Sequence, residues 1–332
     1  MLPAAPSGCL VSLASWIKAC AKEMGFYSVG ILPAKDLFEK DSSLEKWNRK
    51  GYSGTMSYLQ KFDERQEHLK SRFPSAKSVI VLTVSYCRGG ETPRRASGAS
   101  GRVARYARCR DYHKVLEEKL QLLSQKIREH AGSGTFQIFV DSAPILEKKL
   151  ASRSGLGFIG KNTTLVTPAG SYFFLSELVT DLELAYDASA GIVDGCRDCR
   201  LCIDVCPTGA IVEPYTIDAR RCIAYLTIEH QGDVAEELQP KMDQWLFGCD
   251  LCIDACPRNS APVETPWEEL KERLVAPSIP LEEIFSLKDD ASFRKKFEGT
   301  PLLRVKRGTL IRNAEIILKN LKEGEGHENR KR

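Results

Sequence analysis

No stretch of this 332-residue sequence is apolar for long enough to cross a membrane, so a soluble chain without membrane contact is expected. The first seventeen residues carry no charge, yet they also lack the basic start of a secretory signal, contain Pro3 and Pro6, and run into Lys18 on an amphipathic helical pattern. Secretion is therefore not expected, and reduced thiols in the cytoplasm are. Nor is there a compositional case for wholesale disorder, since apolar residues make up 42% and charged residues 28% of the chain. Internal repeats are missing apart from two cysteine runs. Gly155, Gly157 and Gly160 crowd into GLGFIGKN (155–162), a turn that lets backbone approach something closely, but the spacing fits neither the P-loop nor the dinucleotide fingerprint.

Cysteine is what the chain has, with eight of its twelve between residues 196 and 256. The first run is Cys196, Cys199, Cys202 and Cys206 followed by Pro207, a C-x2-C-x2-C-x3-C-P pattern. A cubane cluster takes four thiolates at the corners of a tetrahedron, and a loop with two-residue gaps supplies three but cannot curl back to the fourth. The fourth cysteine of such a run therefore serves a second cluster. The second run, Cys249, Cys252, Cys256 and Pro257, is one cysteine short, and Cys222 lies far enough upstream to reach in. The exchange assigns Cys196, Cys199, Cys202 and Cys256 to one [4Fe-4S] cluster, and Cys206, Cys222, Cys249 and Cys252 to the other. Zinc sites pair C-x2-4-C knuckles and have no use for three cysteines in seven residues, and a disulfide framework fits poorly with a long chain lacking a secretory signal. Cys9, Cys20, Cys87 and Cys109 have no partner spacing and read as small buried hydrophobes or free thiols.

At this length the clusters have a real core beside them. Periodicity predicts a helix over 10–24, a strand over 26–32, and helices over 36–49 and 56–70 with Gly51 and Gly54 at the turn between them. The β-branched run 77–86 (KSVIVLTVSY) predicts a strand in the middle of a sheet. A long Gly/Ser/Arg/Pro loop over 88–101 follows, then a helix carrying Leu116, Leu120, Leu123 and Ile127 that ends near Gly132. A strand over 136–140 leads to Asp141, which by local sequence caps a helix starting near Pro144. Strands over 165–167 and 171–180 complete the pattern. Residues 1–188 thus read as an α/β domain on a mixed sheet, 189–265 as a ferredoxin-like two-cluster module with helices over 218–229 and 234–247, and 266–332 as a basic helical region fraying from Gly324. Residues 293–332 hold twelve Lys or Arg against five acids, and a second basic concentration comprises Arg88, Arg94, Arg95, Arg102, Arg105, Arg108, Arg110 and Lys114. Two such regions suggest a polyanionic partner.

Six segments together resemble one family: SGLGFIGKNTTLVTPAGSYFFLSEL (154–178), VDSAPILEK around Asp141, RYARCRDYHK (105–114), CRDCRLCIDVCPTGAI (196–211), RCIAYLTIEH (221–230) and GCDLCIDACP (248–257). The resemblance is to epoxyqueuosine reductase. It implies an oxidoreductase that reduces epoxyqueuosine to queuosine at the wobble position of tRNA anticodons, the last step of queuosine biosynthesis, using base-off cobalamin and two [4Fe-4S] clusters. It implies Asp141 as proton donor, in place of a mere cap. It further implies a cobalamin site lined by the backbone of Leu165, Val166 and Thr167, by Leu175, and by Arg105, Lys161 and Arg221. The family uses no axial histidine, and Asp111-Tyr112-His113 accordingly fails the D-x-H-x-x-G pattern of other cobalamin proteins, with Leu116 at the glycine position. Implied partners are an anticodon stem-loop, gripped by basic residues of 88–114 and 294–312, and a low-potential donor of ferredoxin or flavodoxin type; a monomer is expected. Many members continue into a longer helical-repeat region, so part of the tRNA grip is expected to differ here. The rival readings are a cobalamin-dependent reductive dehalogenase and a non-catalytic iron-sulfur electron-transfer protein.

The spacing makes one prediction by itself. Anaerobically reconstituted protein should carry about eight irons per chain and no stoichiometric zinc; metal analysis returning two zinc ions without charge-transfer absorption would overturn it.

Overall fold

The computed structural model describes residues 8–89, 98–188 and 195–328. Its strands, in chain order, are β1 (Ser28–Pro33), β2 (Ser78–Ser85), β3 (Ser100–Val103), β4 (Phe136–Phe139), β5 (Phe158–Ile159), β6 (Leu165–Val166), β7 (Phe173–Thr180), β8 (Ile211–Glu213), β9 (Thr216–Ile217), β10 (Trp245–Phe247) and β11 (Ser278–Pro280). The main sheet has the order β1-β2-β7-β4 and is antiparallel throughout. β2 lies inside it, and every residue of the strand is buried, which is why the sequence there is apolar without alternation. Its two faces feed separate cores. Ile80, Leu82 and Val84 pack with Ile17 and Ala21 of the helix Gly8–Glu23 and with Leu116, Leu120, Leu123 and Ile127 of the helix Tyr112–Ala131. Val79 and Val81 face Ile145, Leu165 and the helix Glu147–Arg153 on the other side. Burying each such aliphatic side chain contributes roughly 1.5–3 kcal/mol. The helix Tyr112–Ala131 is capped by Asp111, which accepts the His113 N–H at 3.1 Å, and it stops at Gly132 in a left-handed conformation.

A second sheet, β10-β3-β11, draws one strand from the first third of the chain and two from the last. Here parallel and antiparallel pairing mix, β3 running parallel to β10 and antiparallel to β11. The helix expected over 234–247 is absent. That segment holds a short 3-10 turn at Pro240–Met242, then Asp243 at φ 51°, then β10. Pro240 withholds a backbone donor, and Trp245-Leu246-Phe247 satisfies its own backbone against β3, a pairing far away in sequence. The expected helix over 218–229 is likewise split, into a 3-10 turn at Ala219–Arg221 and a helix Ile223–Ile228, by the extended backbone of Cys222. Helix 36–49 resolves into a 3-10 turn and Ser42–Arg49, and 56–70 into Ser57–Gln60 and Phe62–Arg72. The last helix, Arg307–Glu328, continues past Gly324, while 329–332 lie outside the described residues. Arg94, Arg95 and the Cys9 side chain also fall outside them; Cys20, Cys87 and Cys109 are buried. Among the described residues no helix is long and apolar enough to cross a membrane.

One side chain ties the last helix to the rest. Asn313 is fully buried and donates to the carbonyls of Thr227 and Leu246, both at 3.0 Å. Asn313→Ala should therefore strand two buried carbonyls, at a cost of roughly 1–3 kcal/mol for such a loss. Chemical denaturation should show a lower midpoint; an unchanged midpoint would mean that water replaces the amide there.

Candidate functional site

The two cysteine runs fold as matching units. Each places its central cysteine in a one-turn helix with the same LCID sequence, Leu201–Asp204 and Leu251–Asp254, and the two turns pack together. Buried thiols acting on one another show which cysteines converge. Burial, then Cys196, Cys199 and Cys256, raise the Cys202 thiol, and burial raises Cys256, which also feels Cys196 and Cys199. Burial pushes Cys252 up to about 12, with Cys222, Cys206 and Cys202 adding to it. Burial likewise raises Cys249, which feels Cys252 and Cys222, and Cys222, which feels Cys206. These couplings link Cys196, Cys199 and Cys256 with Cys202, and Cys206 and Cys222 with Cys249 and Cys252, while Cys252 also feels Cys202. Thiols held so far above neutrality need the charge of bound metal to stay ionised, and loading would release protons. Among the described residues no group of three His, Cys, Asp or Glu side chains is closed around a single-ion position. The split helix explains Cys222, whose extended backbone sets it at the head of Ile223–Ile228. Cys206 Sγ accepts the Ala210 N–H at 3.3 Å, the kind of contact that tunes a cluster's potential.

The GLGFIGKN turn serves these loops. A side chain on Gly157 would collide with the Val166 carbonyl at 2.4 Å, so glycine lets the β5-β6 hairpin close. From its tip the buried Lys161 donates to the carbonyls of Arg197 and, at 3.1 Å, Cys199, while Asn162 donates to the Cys252 carbonyl at 3.3 Å. Arg105 behaves alike: its backbone N–H meets Asp250 at 2.8 Å and its guanidinium meets Asp254 at 3.2 Å. Of the residues the resemblance assigns to cobalamin, Lys161 and Arg105 thus hold cluster loops, and Arg221 is exposed with its guanidinium 3.3 Å from where a Cβ on Gly209 would lie. Leu165, Val166 and Thr167 are buried in or beside the hairpin, and Leu175 lines a cavity.

On the hairpin's other side runs a cleft of three abutting cavities of about 560, 780 and 500 Å³. Asp141, Tyr112 and Arg304 line both the first and the second; Ile159, Thr163 and Leu175 line the second. Asp141 is not a helix cap. The helix begins at Glu147 with Leu146 as its cap residue, and Asp141 stands apart at φ 47°. A non-glycine residue there stores roughly 1–3 kcal/mol of strain, which its contacts must offset. Its carboxylate, half exposed, accepts the Tyr112 hydroxyl at 2.7 Å, with Arg304 and His113 Nε2 each at 3.8 Å, and its backbone N–H donates to Glu147 at 2.9 Å. Tyr112 stacks flat on Phe174 at 4.2 Å, and burial, then Asp141, push its hydroxyl up, so it remains a donor. Burial pulls the His113 imidazolium down, but the Asp111 hydrogen bond and charge outweigh it and leave it above the ordinary range. Arg304 is held across the cleft by Glu229 at 2.7 Å. Tyr106 and Tyr225 complete the first cavity's wall.

The basic count over 88–114 overstates the surface. Arg105 and Arg108 are buried, Arg108 donating to the Val103 carbonyl at 2.8 Å, and Arg102 stacks 4.0 Å over the Trp245 ring. Arg312 is also spent on backbone, meeting Leu226, His230 and Gly232 carbonyls. Arg294, Lys295 and Lys306 are exposed. Sequence reasoning missed Tyr112, Glu147 and Glu229 in the cleft. All three sat inside quoted motifs, yet nothing local distinguishes them from surface residues.

Comparison with known proteins places these features in context. A family model described as epoxyqueuosine reductase QueG matches residues 66–142, and one described as a 4Fe-4S double cluster binding domain matches 195–259. The chain is 39% identical over 308 residues to an epoxyqueuosine reductase of Cellulophaga algicola, covering 91% of this chain and 96% of that one. It is 40% identical over 319 residues to that of Escherichia coli, covering 94% and 82%. Among solved structures, an epoxyqueuosine reductase described with an epoxyqueuosine-modified tRNA stem loop superposes with a TM-score of 0.78 at 29% identity, over 94% of this chain and 82% of that one. Another, from Bacillus subtilis, is described with its catalytic aspartate loop swung out of the active site; it superposes with a TM-score of 0.78 at 28% identity, over 95% and 83%.

The exchanged thiol sets carry their own test. Cys256→Ala should damage the cluster served by Cys196, Cys199 and Cys202, and Cys206→Ala the one served by Cys249 and Cys252. Electron paramagnetic resonance on the reduced variants would separate the two signals, and loss of the same signal from both would refute the exchange.

Proposed function

The chain belongs to the epoxyqueuosine reductase family, and from that premise we propose that it reduces epoxyqueuosine in a tRNA anticodon stem-loop to queuosine, with base-off cobalamin in the cleft and two [4Fe-4S] clusters behind it. The supporting observation is Asp141, which stands where two cavities meet, with its carboxylate set by Tyr112 and with the hairpin that braces the cysteine loops lining the second cavity. The connected cavities, about 780 and 500 Å³ beside one of about 560 Å³, leave room for a corrin and a nucleoside on either side of that carboxylate. Leu175, Ile159 and Thr163, with the backbone of 165–167 beside them, are the residues that would hold the corrin.

The reaction breaks the epoxide carbon–oxygen bonds, takes up two electrons and two protons, and leaves the alkene and one water. Cobalamin, when bound, supplies a metal centre able to deliver both electrons to carbon; the organic chemistry is the cofactor's. This chain's residues do the rest. The thiols of the second set lie against the cleft, because Cys222 heads the helix whose Ala224, Tyr225 and Ile228 line the first cavity. Three thiols of the first set, Cys196, Cys199 and Cys202, lie on a loop flanked by the exposed Arg197, Arg200 and Leu201, where an external one-electron donor of low potential meets it. Tyr106, Tyr225 and Met56 receive the everted nucleoside in the first cavity. Asp141 gives a proton to the epoxide oxygen as it leaves, with Tyr112 holding the carboxyl in place. Arg304 lies 3.8 Å from Asp141, anchored by Glu229, to meet substrate hydroxyls or phosphate. The exposed Arg294, Lys295 and Lys306 serve the RNA backbone.

Asp141→Asn separates this role from a structural one. The amide keeps the shape and can still accept from Tyr112, but it has no acidic proton, and general acid catalysis is typically worth ~100 to 10,000-fold. A folded, cofactor-loaded variant whose single-turnover reduction of epoxyqueuosine RNA falls at least about a hundredfold is expected. Wild-type turnover would remove Asp141 from the chemistry.

A further inference from the structure

Behind Asp141 stands a second acid, and behind that a third. Glu147 lines the second cavity from the first turn of its helix, and its carboxyl accepts the Asp141 N–H at 2.9 Å. Glu177 sits in the middle of β7, fully buried, on the apolar face between its cross-strand neighbours Val81 and Phe139, and neither of its carboxyl oxygens meets a hydrogen-bond partner. An ionised carboxylate in such a place is costly and the group neutralises instead. Burial, then Glu147, raise Glu177 well above the carboxylate range, and burial, then Asp141, push Glu147 up to about 7. Glu147 lies within the VDSAPILEK segment and Glu177 within SYFFLSEL, and nothing in the proton delivery described above uses them.

We propose that Glu147, backed by Glu177, is a positioning residue for the reaction: its carboxyl pins the backbone N–H of Asp141 and so holds that residue in the left-handed conformation that aims its side chain at Tyr112 and the cleft. The backbone at Asp141 gains no stability from a following helix turn, since that helix starts six residues later. Its backbone N–H is fixed by Glu147, and its side chain by Tyr112.

The inference rests on Asp141 being the proton donor, and a double-mutant cycle distinguishes its failure from failure of that role. Glu147→Ala should slow single-turnover reduction of epoxyqueuosine RNA at least tenfold, with RNA affinity and the absorption of bound cofactors unchanged. Glu147→Gln keeps an acceptor oxygen and should stay within about threefold of wild type. Added to Asp141→Asn, Glu147→Ala should cost nothing further, because a residue acting through Asp141 has no role once the donor is gone. If alanine is not tolerated there, Glu147→Leu removes the acceptor at similar volume and is read the same way. Wild-type rate in Glu147→Ala overturns the proposal. So does a glutamine variant as slow as alanine, which would make Glu147 itself an acid, and so does an additive double variant. A wild-type rate in Asp141→Asn alone would instead overturn the donor role on which the inference stands.

Discussion

Everything in this chain depends on a geometric limit: a short cysteine loop cannot surround a cubane alone. A run that lends a thiol to the other, as the spacing predicts, has to be held at a fixed separation from it by something outside both. The structure shows what does this. Lys161 and Asn162 reach from one hairpin tip to a carbonyl in each run, Arg105 clamps the second LCID turn through Asp250 and Asp254, and Asn259 of the second run bonds Ser171 of the main-sheet region. A cluster pair that must be braced from the sheet side is automatically close to whatever the sheet side binds.

That bracing also explains why the chain does not divide cleanly along its length. β3 leaves the first region to pair with β10 just before Cys249, and β11 closes the same small sheet from the C-terminal side. The last helix then locks over it through Asn313, whose two acceptors belong to the helix that Cys222 heads and to β10. The C-terminal region is thereby part of the cluster scaffold, and it also delivers Arg304 to the cleft. A segment that looked in sequence like a basic appendage is structural on one face and lines the site on the other.

How much of this could be read from sequence follows how local each determinant is. The cysteine spacing is covalent and short, and β2 announces itself because burial on both faces leaves no polar alternation. The helix over 234–247 failed because β10 satisfies its backbone against a strand well over a hundred residues away, which no window of sequence contains. The arginines of 88–114 misled because charge is counted without knowing direction, and Arg105 and Arg108 point inward. Lys161 shows the same gap, since sequence gives its charge but not that its ammonium meets the carbonyls of a cysteine loop.

Asp141 shows why a local rule and a site can compete for one residue. An aspartate between a strand and a proline has the composition of a cap, and the capping rule is sound where a helix begins. Here the helix starts six residues later, and Glu147, its first residue, turns its carboxyl back to the Asp141 N–H. The strained backbone that results frees the Asp141 carboxylate from any capping duty and turns it towards Tyr112. A residue can only deliver a proton if its side chain is not already committed to the backbone, so the failure of the cap is a structural condition for the chemistry proposed at this position.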